Sequence, residues 1–87
     1  MVEDYREAYG RVQHYNEKIN VIVSLIQHIS EEQRINIAQR IQILRSLIVR
    51  LDNLDYEPRQ TAIRNIHNQL DTMFNEAITS LENQKTR

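Results

Sequence analysis

His67 and Asp71 stand four residues apart, the spacing at which a ring and a carboxylate can share one helix face. Such a pair can orient an imidazole or help to hold a metal ion. A metal site needs further ligands, and no second histidine or Glu-x-x-His element stands nearby. The plainer expectation for His67, which lies between Ile63 and Leu70, is a histidine satisfied at the edge of a core. His14 and His28 fall on polar faces.

The rest of the chain offers little for catalysis. Cysteine is absent, which excludes disulfides and thiolate zinc sites. Gly10 is the single glycine, so no phosphate-cradling loop can be built. No serine sits in a Gly-x-Ser-x-Gly elbow. The carboxylates are spread along solvent faces, and no isolated pair faces an apolar pocket. The expectation is a protein that is not an enzyme and carries neither cofactor nor metal.

The elements that would position these groups are helical. The 87 residues allow one domain, 1–87, which buries only about 60% of its unfolded surface. Lys+Arg number 11 and Asp+Glu 12, and the two signs are interspersed, which argues against binding a polyanion by net charge. Hydrophobic residues at 40% suffice for folding. Many are isoleucine, a mediocre helix former, so the helices should depend on packing. The start, Met-Val-Glu-Asp-Tyr-Arg-Glu, lacks the apolar core of a signal peptide. The most apolar stretch, 19–29, is interrupted by Asn20, Ser24, Gln27 and His28 and is far short of the roughly 20 residues of a membrane span. The expected location is the cytoplasm, with no membrane contact.

An apolar repeat of 4-3-4-3 spacing runs from Tyr5 to Leu54. One row holds Tyr9, Asn16, Val23, Ser30, Ile37, Leu44 and Leu51; the other holds Tyr5, Val12, Ile19, Ile26, Gln33, Arg40, Leu47 and Leu54. Ser30-Glu31-Glu32-Gln33 reads as a capping box in the middle of that repeat. The serine oxygen would accept from the Gln33 N–H, and the Gln33 side chain would reach back to the Ser30 N–H. Pro58 marks a second break, suits the first turn of a new helix and disfavours helical geometry at Glu57. The spacing therefore predicts an all-α, three-helix, up-down-up bundle with helices over about 3–29, 31–53 and 58–83 and a frayed tail at 84–87. Gly10 weakens the first helix by about 1 kcal/mol relative to alanine. The competing architecture ignores the cap and runs one helix through 3–53 as a coiled coil, with the third helix packed back. An unbroken heptad phase through Ser30 favours it; Ser30, Gln33 and Arg40 on the seam oppose it.

Apolar residues also occur off the stripe. Val21 and Leu25 on the first helix, and Ile35, Ile43 and Val49 on the second, project away from it. Exposed aliphatics of this number invite association. With Arg40, whose seam position calls for a carboxylate or a snorkelling stem, they form the expected interface with a partner. The expected function is a small interaction module, regulator or inhibitor that docks an apolar helical surface on a protein partner. A homodimer is the simplest form. Tyr5, Tyr9 and Tyr15 either join that interface or cap the bundle's end. An alternative makes Arg34, Arg40, Arg45 and Arg50 phosphate contacts of a nucleic-acid accessory protein. The arginines spread over both flanks of the stripe, among Glu31, Glu32, Asp52, Asp55 and Glu57, which weakens that alternative.

Overall fold

Three helices, α1 (Tyr5–Ile26), α2 (Glu31–Arg50) and α3 (Tyr56–Lys85), fold back on one another, with a single 3₁₀ turn at Leu51–Asn53 between the last two. This is the all-α, three-helix arrangement that the spacing predicts. The computed structural model describes the backbone of residues 5–85 and the side chains of residues 12–84. The readings placed on the side chains of Tyr5 and Tyr9 lie outside the described residues. The α1 residue Tyr15 meets His67 of α3 and Lys18 meets Asp71, so α1 and α3 run parallel. Arg40 of α2 meets Glu76, while Ser30 lies by Gln84, so α2 runs opposite to α3. The extents are 53 × 19 × 15 Å. The radius of gyration, 14.7 Å, exceeds the value of about 12 Å for a compact domain of this length. The bundle is slender, and every helix keeps a large outward face.

Ser30 ends the long-helix alternative. Its extended backbone stops the helical path, and its Oγ accepts from the Gln33 N–H at 3.4 Å. The first intrahelical bond of α2 follows, from Arg34 N–H to the Ser30 carbonyl at 2.9 Å. Glu31 and Glu32 occupy the first turn, where the helix dipole favours negative charge. The second half of the expected capping box is replaced. With its amide oriented to satisfy both groups, Gln84 of α3 accepts from the Ser30 N–H at 3.3 Å and donates to the His28 carbonyl at 2.5 Å. Of the tail expected to fray at 84–87, α3 continues through Lys85 and Gln84 is tied to the α1–α2 turn, while residues 86 and 87 lie outside the described residues.

The single seam through Ser30 is also corrected. The core of α1 is Tyr15, Ile19, Ile22, Ile26 and the following Ile29; α2 and its 3₁₀ turn supply Ile37, Ile41, Leu44, Ile48 and Leu51. Each set has 4-3-4-3 spacing. Continuing the α1 rhythm past position 33 would reach 36, 40, 43, 47 and 50, each one residue short of the α2 set. One residue is about 100° of helix rotation. The turn at 27–30 resets the phase, so each helix faces the axis independently. Asn16, Ser30 and Gln33 are exposed, while Val23, Leu47 and Leu54 pack at the core's edge.

The third stripe comes from Ala62, Ile66, Leu70, Met73 and Ala77. Ile63 and Leu81 pack at its margin. Pro58 is the third residue of α3, not its first. It breaks no bond there, because the first intrahelical donor is Arg59, whose N–H reaches the Asp55 carbonyl at 2.9 Å. Among the described residues no polar or charged residue is buried in this core, and no helix is long and apolar enough to cross a membrane.

Candidate interaction surfaces

The His67–Asp71 pair is divided between two partners. His67 Nε2 lies 3.4 Å from the Tyr15 hydroxyl, and the two rings meet edge to face at 5.2 Å and 73°. Tyr15 is fully buried, so its hydroxyl needs a partner inside the fold and His67 supplies one. Asp71 turns to Lys18 of α1, with Nζ to Oδ1 at 3.5 Å. Both contacts tie α1 to α3 in parallel register. His14 is exposed, with its ring 6.4 Å from that of His67. Among the described residues no three histidines, aspartates or glutamates gather in a metal-binding group. The arrangement satisfies a buried tyrosine at the core's edge, as the plainer reading of His67 has it.

Arg40 finds its carboxylate within the chain. Its guanidinium meets Glu76 of α3 at 2.7 Å and donates to Asn36 Oδ1 at 3.3 Å. Arg40 is half-buried, so its stem covers core while its head crosses from α2 to α3. The residue expected at an interface with a partner therefore bridges two helices of its own bundle.

The five off-stripe aliphatics divide into three groups. Leu25 is half-buried and packs against the core, because it projects only about 85° from the α1 stripe by helical geometry. Val21, at 49% exposure, lies in a shallow groove between α1 and α3 with Ile22, Leu70 and Phe74. Lys18 and Asp71 form the groove's polar rim, and no residue of α2 lines it. The remaining three, Ile35, Ile43 and Val49, lie on α2 and are exposed by 48%, 69% and 77%.

Two of these, Ile35 and Val49, belong to a larger pattern that also contains polar residues. Ile35, Gln39, Gln42, Ser46 and Val49 recur at 4-3-4-3 spacing, and all five are exposed. On a wheel of 3.6 residues per turn they centre on the side of α2 opposite Ile37, Ile41, Leu44 and Ile48. Ile43 flanks them. This second heptad contains no charged residue between Ile35 and Val49, although a solvated helix face ordinarily carries charge. The signal was legible as uncharged residues in heptad spacing, and hydrophobicity alone hides it because Gln39, Gln42 and Ser46 are polar.

Charge returns at the two ends of this face. Glu31 and Glu32 stand at its N-terminal end, and Arg45 and Arg50 toward its C-terminal end. Arg50 folds back along the face, its Nε donating to the Ser46 carbonyl at 3.4 Å. Arg34 is half-buried at the flank and Arg40 is engaged by Glu76. The α2 arginines therefore do not assemble one basic surface.

The chain matches no family model, no curated protein and no solved structure.

Proposed function

We propose that this chain is a small helical interaction module that docks the outward face of α2 on a protein partner. One observation carries the reading: a second heptad, Ile35, Gln39, Gln42, Ser46 and Val49, lies uncharged and exposed opposite the core heptad of the same helix. Coiled-coil seams use such spacing to set knobs of one helix into holes of another, and polar seam residues select register and partner. A helix serving its own bundle alone has no use for two seams. Ile43 and Val49 would lose most of their exposed apolar area to a partner, each contributing about 1.5–3 kcal/mol if fully buried.

In this reading the protein acts without catalysis, by occupying or organising another helical surface in the cytoplasm. The nucleic-acid alternative draws less support, because Arg40 is paired with Glu76 and the other α2 arginines lie apart from one another. The reading is tested by placing a photo-reactive residue at Ile43 and, in a second variant, at Asn20 on α1, in the cell that makes the protein. Covalent protein adducts are expected from position 43 and not from position 20. Equal labelling from both, or none from position 43, overturns the reading.

A further inference from the structure

The charge on the α2 face has a direction. Its N-terminal end carries Glu31 and Glu32, the seam residues Ile35, Gln39, Gln42, Ser46 and Val49 are uncharged, and its C-terminal end carries Arg50, with Arg45 five residues earlier on the opposite flank. A surface acidic at one end and basic at the other is complementary to itself after a half-turn. Laid parallel, two copies would set Glu against Glu and Arg against Arg. Laid antiparallel, they set each acidic end over the other copy's basic end, and the two helix dipoles also oppose. Two-fold pairing requires a patch complementary to itself, and this patch is.

We infer that the occupant of this face is a second copy of the chain, with the two α2 helices antiparallel about a two-fold axis between Gln39 and Gln42. The inference rests on the reading of α2 as the docking surface and adds its occupant, direction and register. In that register Gln39 of one copy layers with Gln42 of its partner, and Ile35 layers with Ser46. Residues 31 and 50 come to the same height, which brings the carboxylates of Glu31 and Glu32 beside the Arg50 guanidinium. Gln39 and Gln42 have amide donors and acceptors that pair across the axis, so the polar centre fixes the register that a wholly apolar seam would leave free to slide. Ile43 flanks the seam and covers its edge. The core and the Arg40–Glu76 contact lie on the other side of α2 and are untouched by this pairing. The result is a six-helix assembly whose two bundles meet along one pair of helices, each about 30 Å long at about 1.5 Å per residue.

The absence of cysteine allows a direct test. Two single variants, Ile35→Cys and Ser46→Cys, are mixed and brought to thiol–disulfide equilibrium, with Asn20→Cys as the control. The antiparallel register joins position 35 to position 46, so the mixed dimer should dominate. Like positions would be about eleven residues apart along the axis, roughly 16 Å, beyond the reach of a disulfide. Light scattering of the unlinked protein gives the second measurement. Wild-type mass should approach the dimer as concentration rises. Glu31→Lys with Glu32→Lys should weaken association on the order of tenfold. Adding Arg45→Glu with Arg50→Glu to that variant should restore it, since the swapped charges again complement one another.

Links of 35 to 35 and 46 to 46 overturn the antiparallel arrangement while keeping α2 as the docking surface. A protein monomeric at every concentration overturns the second copy as occupant and leaves the docking surface to the photo-labelling test. A dimer whose mass survives Ile43→Glu with Val49→Glu, with circular dichroism unchanged, overturns both.

Discussion

Gln84, near the end of α3, takes the Ser30 N–H that begins α2 and gives its own amide N–H to the His28 carbonyl behind it. One side chain from the third helix thus closes the turn between the first two. The two groups it satisfies are an early donor of α2 and a carbonyl just past the end of α1, which their own helices leave free. Ser30 secures a second donor through its hydroxyl, on Gln33. The turn is therefore held from within by Ser30 and from across the bundle by Gln84.

This turn should be costly to disturb from either side. Ser30→Ala is expected to lower stability by about 0.5–2 kcal/mol, the usual loss of an N-cap. Gln84→Ala should cost about 0.5–1.5 kcal/mol through its lost hydrogen bonds. The double variant should depart from the sum of the singles, because both residues restrain one segment. Urea midpoints at constant slope measure all three. A Gln84→Ala protein with the wild-type midpoint would show that the contact adds nothing.

The Arg40–Glu76 bridge should contribute modestly. Both side chains are partly exposed, at 30% and 48%, so solvent screens the pair. A double-mutant cycle with Arg40→Met and Glu76→Gln should give a coupling of about 0.2–1 kcal/mol. The coupling should shrink in molar salt, where the screening length falls to about 3 Å. A coupling unchanged by salt would mean that packing of the arginine stem, and not charge, joins these helices.

Core and outward face of the same helix should differ sharply in their sensitivity to truncation. Leu44→Ala is expected to cost about 2–5 kcal/mol, since it removes a buried side chain that the tight core cannot refill. Val49→Ala should change the stability of the dilute protein by no more than about 0.5 kcal/mol. Equal losses from the two, measured at a concentration below association, would contradict the assignment of Val49 to an outward face.

Pro58 should be nearly replaceable. Because Arg59 makes the first intrahelical bond of α3, Pro58→Ala gains no such bond and should shift stability by no more than about 1 kcal/mol. Asn65→Pro, seven residues further into the same helix, should cost about 3 kcal/mol or more by removing a bond and clashing with the preceding turn. Thermal unfolding of the two variants gives the comparison directly.

Much of the fold can be read from residue types at short range. The apolar periodicity marks three helices, Ser30 marks the break between the first two and Pro58 the start of the third, because caps and prolines act on their immediate neighbours. Helix ends moved by a few residues: α1 closes at Ile26, and α3 opens at Tyr56, ahead of its proline. His67 was legible as a core-edge histidine because Ile63 and Leu70 flank it along the chain. Its partner was not, because Tyr15 lies 52 residues away.

What the sequence by itself determined is the set of helices and the apolar stripe on each, since hydrophobic spacing within a helix depends on one rotation angle. Only the tertiary structure decided how those stripes meet. The turn at 27–30 shifts the seam by one residue, and no repeat along the chain can reveal a rotation made outside a helix. Packing likewise drew Leu25 toward the core, gave Arg40 its carboxylate from Glu76, and separated Val21 in the α1–α3 groove from Ile35, Ile43 and Val49 on α2. With the inward face of α2 known, the opposite face became visible as a heptad of its own. Its residues were always in the sequence, but which side of α2 remains unpartnered depends on where the other two helices lie.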